Sequence, residues 1–225
     1  MTTKMTTKMT TKIFLSFLTI AILFVGCTKN SPDPETVITE TVTELDAQAD
    51  STINTGFGLV HFGPYTKFSF SEGGIVSDSA ENWDIAFRNS KILVNGGVGE
   101  ITAPVQPNRT GEAAAYIIDG EMGDITSVNE ALLMQDGDNT SMYGTTAIID
   151  DQGQAGLGWS IYNPNAIPFP MLEAAAGKIL VLRTHDNKYA KVEIKDFYDE
   201  PITNPYGGFY TFNYVYQSEE GNTTF

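Results

Sequence analysis

The side chains able to do chemistry in this 225-residue chain are few: two histidines, His61 and His185, one cysteine, Cys27, and scattered carboxylates. Two isolated histidines and the lack of a G-x-S-x-G elbow give no Ser/His/Asp set. No phosphate-cradling loop or dinucleotide fingerprint follows a strand-like run. Asp150 and Asp151 are adjacent, so on a strand they point to opposite faces and cannot share one substrate. The run "DGDNTS" from Asp136 to Ser141 resembles the front of a calcium loop. Its sixth place holds Ser141 instead of glycine, and its twelfth holds Ala147 instead of an acid, so an Asp/Asn turn is the better reading. A single histidine among aromatics, as His61 is in "GLVHFGPY", reads as a packed, hydrogen-bonded residue. The chain is therefore read as a binding protein, not an enzyme.

Cys27 has a different explanation. Lys4, Lys8 and Lys12 precede an apolar run over residues 13–26 that ends in small residues, the pattern of a secretory signal. Fourteen apolar-rich residues are too few to span a bilayer. The end of the run, "LFVGC", resembles a bacterial lipobox, with Phe24 where leucine is usual and Leu23 one step further out. Residues 1–26 are read as a lipoprotein signal peptide and Cys27 as the lipidated first residue of the mature chain; an ordinary cleaved signal is the alternative. Removing three lysines and no acid moves the net charge from −15 to −18. Nucleic acid is excluded by such a charge, which lacks the basic footprint phosphates need. Anionic lipid is repelled as well, so acyl chains on Cys27 would be the membrane anchor. One cysteine also excludes an internal disulfide framework and a cysteine zinc cluster.

The elements that must position a site are strands. With 21 glycines, 10 prolines and 11% aromatic residues, the composition favours an all-β, loop-rich domain. Residues 27–51, rich in Pro, Thr, Asp and Glu, read as a flexible tether, with "VITETVTELDAQ" either an edge strand or a short helix. The domain is expected over 52–225. Trp83, Ile85 and Phe87 fall on one face of a strand, and Asn95-Gly96-Gly97 marks a turn or a close backbone approach. Ser127 and Glu130 have capping-box spacing for one short helix through Met134.

Three adjoining antiparallel strands are expected in the last third. Residues 179–184 are apolar on both faces and predict a buried central strand. After a polar turn at His185-Asp186-Asn187, Ala190, Val192 and Ile194 alternate with Tyr189, Lys191, Glu193 and Lys195, one face inward and one in water. Over 209–217, Tyr210, Phe212, Tyr214 and Tyr216 line a single face.

Taken together, "ENWDIAFRNSKILVNGG", "GWSIYNPNAIPFP", "KILVLRTHDNKYAKVEIKDFY" and "GGFYTFNYVYQ" resemble the HmuY-like family of Bacteroidota lipoproteins, in the same order over roughly residues 57–217. The resemblance implies a single all-β domain whose irregular loops grip a heme. It also implies a hemophore-like role at the outer membrane or cell surface, taking heme from host hemoproteins and passing it to an outer-membrane receptor. The founding member ligates iron through two loop histidines. His61 and His185 fall outside the corresponding regions, so that ligand set does not carry over.

Some relatives use methionine instead, and here Met142 in "TSMYGTT" and Met171 in "PFPMLEA" flank Trp159 and Tyr162. A thioether is soft and neutral, so a pair would favour ferrous heme and bind without losing a proton. Met134 and Met122 are the substitutes, and gap-filling is the alternative role for all four. Tyr143, Trp159, Tyr162 and Phe169 are expected either to wall an apolar slot or to serve the core. A second reading of the same scaffold is a heme-free surface lipoprotein that contacts protein or glycan, with Tyr206 or Phe209 stacking on sugars.

Overall fold

The computed structural model describes residues 36–56, 59–99, 105–141, 144–149, 158–163 and 172–225. Among them the strands are β1 (Val37–Asp46), β2 (Ser51–Asn54), β3 (Leu59–Phe62), β4 (Thr66–Ser69), β5 (Gly74–Val76), β6 (Ile85–Arg88), β7 (Lys91–Val94) and β8 (Ala114–Asp119). A single 3-10 turn, Glu130–Leu132, separates these from β9 (Asn139–Ser141), β10 (Gly144–Thr146), β11 (Ser160–Tyr162) and β12 (Leu172–Ala174). The last three are β13 (Lys178–Arg183), β14 (Tyr189–Asp196) and β15 (Phe209–Gln217). A five-stranded antiparallel sheet runs β1-β15-β14-β13-β8 and a four-stranded one β5-β4-β6-β7; β2–β3, β9–β10 and β11–β12 form two-stranded ribbons.

The all-β expectation holds, and so does the arrangement of the last third. β13 lies inside its sheet, with Ile179, Leu180, Val181 and Leu182 all buried, because a strand covered on both faces needs no polar alternation. β15 sends Tyr210, Phe212, Tyr214 and Tyr216 to one face, where they meet Phe68 and Phe87 of the four-stranded sheet and Phe70, just after β4. Phe68 packs edge-on to Phe212 at 5.5 Å and to Tyr214 at 5.8 Å between ring centroids. Phe87 lies 4.7 Å from Tyr210, whose hydroxyl donates to the Asn89 carbonyl at 2.7 Å. These offset contacts join the two larger sheets.

Four expectations are corrected. First, the outward face of β14 reaches water only at its far end, at Lys195. Tyr189 and Lys191 are buried beneath residues 122–133 and Phe225, in a second cluster with Tyr116, Val128, Ile179 and Val181. Lys191, 6% exposed, survives there because its Nζ donates to the carbonyls of Met122 (2.8 Å) and Ile125 (2.7 Å) and lies over the Phe225 ring. Burial lowers its pKa. Tyr189 donates to Glu130 at 2.5 Å, and burial together with that carboxylate raises its pKa to about 12.

Second, residues 127–134 form no longer helix. Asn129, not Ser127, caps the three-residue turn, while Ser127 bridges to Thr224 and Met134 to Ala115. Pairing with distant parts of the chain at both ends replaces the costly nucleation of a short helix. Third, Trp83 precedes its strand and packs with Tyr65, Ala86 and Leu93, away from Ile85 and Phe87. Fourth, residues 37–46 of the stretch read as tether form β1, the edge strand that was one of the two forms open to them. The β-branched run Val37-Ile38-Thr39 and the alternation to Val42 favour extension, and β1 zips onto β15.

His61 is buried and its Nδ1 lies 2.8 Å from Thr52 Oγ1 across the β2–β3 ribbon, as a packed histidine should. His185 braces the β13–β14 turn. Buried Asp84, just before β6, accepts from Phe70 N and from both the backbone N (2.9 Å) and Nδ1 (2.7 Å) of His185. Asp186 beside it pairs with Lys188 at 2.8 Å. Asp84, His185 and Asp186 could gather donor atoms around a metal ion, but each is already engaged in tying this turn to the opposite sheet.

The hydrogen bond that His185 donates to Asp84 holds its pKa above the ordinary 6.5. A folded value raised in this way stabilises fully below the unfolded pKa, and the stabilisation fades as pH rises through the folded value. Because the ring is partly exposed, the contribution is about 1 kcal/mol. Thermal unfolding followed from about pH 5 to about pH 9 should show a Tm that falls by a few degrees across this window in the native chain, and His185→Gln should flatten that component. An identical profile in the variant would mean that the imidazole–carboxylate contact contributes nothing.

Candidate functional site

Both ribbons that carry or adjoin the sequence-predicted site residues grow out of buried roots. The first root is Asp136, 1% exposed. Its Oδ2 accepts from Val94 N of β7 (3.2 Å) and from Arg109 Nε (3.1 Å) and Nη2 (2.8 Å), while Oδ1 accepts from Ile148 N (2.9 Å). One carboxylate thus ties the segments entering β9 and leaving β10 to the four-stranded sheet. Burial pushes the Asp136 pKa up, and the Arg109 guanidinium pulls against it. Backbone bonds reinforce the root: Val98 N donates to Asp136 O at 2.7 Å.

Glycine is required beneath it. A Cβ on Gly96 would sit 1.9 Å from the Ala113 carbonyl, and one on Gly97, at φ +80°, would sit 2.0 Å from Asp136 O. The Asn-Gly-Gly motif therefore marks a close backbone approach.

The second root is Trp159, immediately before β11. Its ring is 1% exposed and packs on Phe197 (5.3 Å) and Tyr210 (5.5 Å). Ala175 N donates to Trp159 O at 2.9 Å and Leu172 N to Tyr198 Oη at 3.4 Å, fixing β12 as well. The indole Nε1–H is buried with no acceptor among the described residues. Ile149, beyond the first ribbon, and Trp159, at the start of the second, belong to one apolar cluster, so the two ribbons share a foundation.

The sequence-predicted residues divide as follows. Met142, Tyr143, Phe169, Met171 and Cys27 lie outside the described residues. In the chain, Met142 and Tyr143 are the two residues between β9 and β10, and Met171 directly precedes β12. Trp159 has taken the core role. Tyr162 is 58% exposed and pairs across the ribbon with Leu172, the neighbour of Met171; Ile161 is 54% exposed. Met134 is partly exposed at the edge of β8, while Met122 packs in the second cluster, on the outer face of the five-stranded sheet. Tyr206 is exposed and Phe209 half-buried.

No histidine occurs in residues 110–177, which contain both ribbons, so their soft donors are thioethers alone. The Asp136–Arg109 root is what sequence reasoning missed, since Asp136 stood out only as the start of a calcium-like run. A separate cavity of about 530 Å³ is lined by Phe62, Tyr65, Lys67, Arg88 and Pro107 among others, and holds none of the predicted site residues. Its cations are occupied: Arg88 donates to the Gly63 and Val105 carbonyls and Lys67 to those of Asp78 and Ala80.

The family model for the HmuY protein matches residues 64–214. Among solved structures, the apo HmuY analogue TFO of Tannerella forsythia is 16% identical, with 81% of this chain and 97% of that one covered and a TM-score of 0.47. A Bacteroides vulgatus protein named as a candidate HmuY-like heme-binding protein is also 16% identical, covering 83% of this chain and 96% of its own, with a TM-score of 0.47. Among curated proteins, none matches the chain.

Asp136→Asn should leave Arg109 buried beside a neutral amide and destabilise the domain by about 3–5 kcal/mol, as breaking one side of a buried pair does. Urea denaturation measures the loss, and amide exchange should show the β9–β10 ribbon released first. Unchanged stability and protection would mean that the ribbon is held by something other than this carboxylate.

Proposed function

Because this chain belongs to the HmuY family, we propose that it is a lipid-anchored surface protein that captures heme for iron acquisition, with Met142 and Met171 as the iron ligands. At the level of the family it is a heme-binding-type protein and not an enzyme. The observation that carries the finer reading is the position of the two methionines. Each directly adjoins a strand of a ribbon rooted in the rigid core, and the chain offers no histidine between Thr110 and Gly177 to take their place. His61 and His185 already have Thr52 and Asp84 as partners.

Each part then has a task. Asp136 and Trp159 keep the ribbons from drifting, since a ligand pair must be held within a fraction of an ångström to bind iron together. Tyr162 supplies exposed aromatic surface one cross-strand step from the residue next to Met171. Neutral sulfur ligands favour the ferrous state and compete with no proton. Tyr143 completes the proposed wall. Cys27, with its acyl chains, is the anchor; host hemoproteins are the source of heme and an outer-membrane receptor its destination.

Titration of the mature domain with hemin under dithionite should give a sharp, stoichiometric Soret shift. Met142→Ala and Met171→Ala should each weaken binding by about tenfold or more, the loss seen even for groups that only orient a ligand. A shift indifferent to both substitutions removes the methionines, and no shift removes heme, leaving a protein- or glycan-contact role on the same scaffold to be tested on a glycan array.

A further inference from the structure

β1 is an edge strand, and a cavity of about 400 Å³ opens between it and the β4–β5 turn, lined by Ile38, Glu40, Val42, Phe70, Glu72 and Tyr214 among others. None of its lining residues belongs to a two-stranded ribbon. Cross-strand partners share a face, and Ile38, Glu40 and Val42 stand opposite Tyr216, Tyr214 and Phe212. Glu40 is therefore on the core-facing side of β1, where the alternation calls for an apolar residue. Tyr214 is 1% exposed, and its hydroxyl ends at the turn: a Cβ on Gly73 would lie 3.6 Å from Oη.

Among the described residues this hydroxyl has no hydrogen-bond partner, and the carboxylates of Glu40 and Glu72 have neither a donor nor a cation. The other polar side chains of the cavity are engaged: Thr41 Oγ1 donates to Asn213 at 2.8 Å, and Ser71 Oγ pairs with Ser69 Oγ at 3.0 Å. No lysine, arginine or histidine lines the space. Burial, and after it the charge of Glu40, raises the Tyr214 pKa, so the phenol stays protonated and its lone pairs are available. An inward carboxylate on an edge strand also guards against edge-to-edge pairing, but that duty needs neither Glu72 nor the Tyr214 hydroxyl.

We infer that this cavity binds a small primary amine in its protonated form. A primary ammonium carries three N–H donors, one for each carboxylate and one for the phenol oxygen. Ile38, Val42 and Phe70 cover a short aliphatic stem. The site stands apart from the heme reading and does not depend on it.

Titration of n-butylammonium into the isotope-labelled mature chain, at about 0.02 M salt where surface charges are little screened, should shift the amides of residues 38–42 and 70–74 saturably. A Kd of about 1 mM is expected. Tetramethylammonium keeps the charge without donors and n-butanol keeps the stem without charge; each should bind at least about tenfold more weakly. Glu40→Gln, Glu72→Gln and Tyr214→Phe should each weaken n-butylammonium by about threefold or more. The glutamine variants alter exposed side chains only, so they decide the matter even if Tyr214→Phe disturbs the core. The inference is overturned by the lack of a saturable shift up to about 20 mM amine, by equal binding of tetramethylammonium or n-butanol, or by an affinity that both glutamine variants leave unchanged.

Discussion

The fold depends on aromatic side chains meeting between two sheets. Tyr210, Phe212, Tyr214 and Tyr216 are on one face because a strand alternates with period two, and Phe68 and Phe87 of the other sheet, with Phe70 just after β4, close on them. Each ring buries much apolar area, and edge-on geometry fixes the sheets' relative position more sharply than aliphatic contacts would. Trp159 joins the same cluster through Phe197 and Tyr210, so the packing that joins the sheets also seats one ribbon.

Polar anchors do the remaining local work. Asp84 and Asp136 are both buried and sit at equivalent tasks, the first fixing the β13–β14 turn and the second fixing the β9–β10 ribbon. In each case a short carboxylate collects backbone N–H groups that would otherwise be unsatisfied, together with one basic side chain. The arrangement gives stiffness where loops leave the framework, which is where a ligand-binding family needs it.

Much of this was legible in the residues. The alternation on β14 and β15, the apolar run of β13 and the polar turn at His185 announced three paired strands because local pattern and tertiary outcome agree. Where pattern failed, long-range contacts decided. Lys191 looks like a solvent-facing lysine until residues 122–133 and Phe225 cover it and their carbonyls bind its ammonium. Ser127 looks like a cap until Thr224 pairs with it. The chemistry of the candidate site was legible only as an absence of histidine and an arrangement of methionines. Its foundation was not, because nothing local distinguishes Asp136 from any Asp-Gly turn; only the return of Arg109 and Val94 to the same point makes it a root.

Gly96 and Gly97 give the molecule an uneven tolerance of change. Two carbonyls press so closely against them that no side chain fits at either place, so drift in the sequence is barred under the ribbon. Its strands, three residues each, are too short to fix their own geometry. That geometry is inherited from the base, so any change tolerated beneath the ribbon would be passed on to everything the ribbon carries.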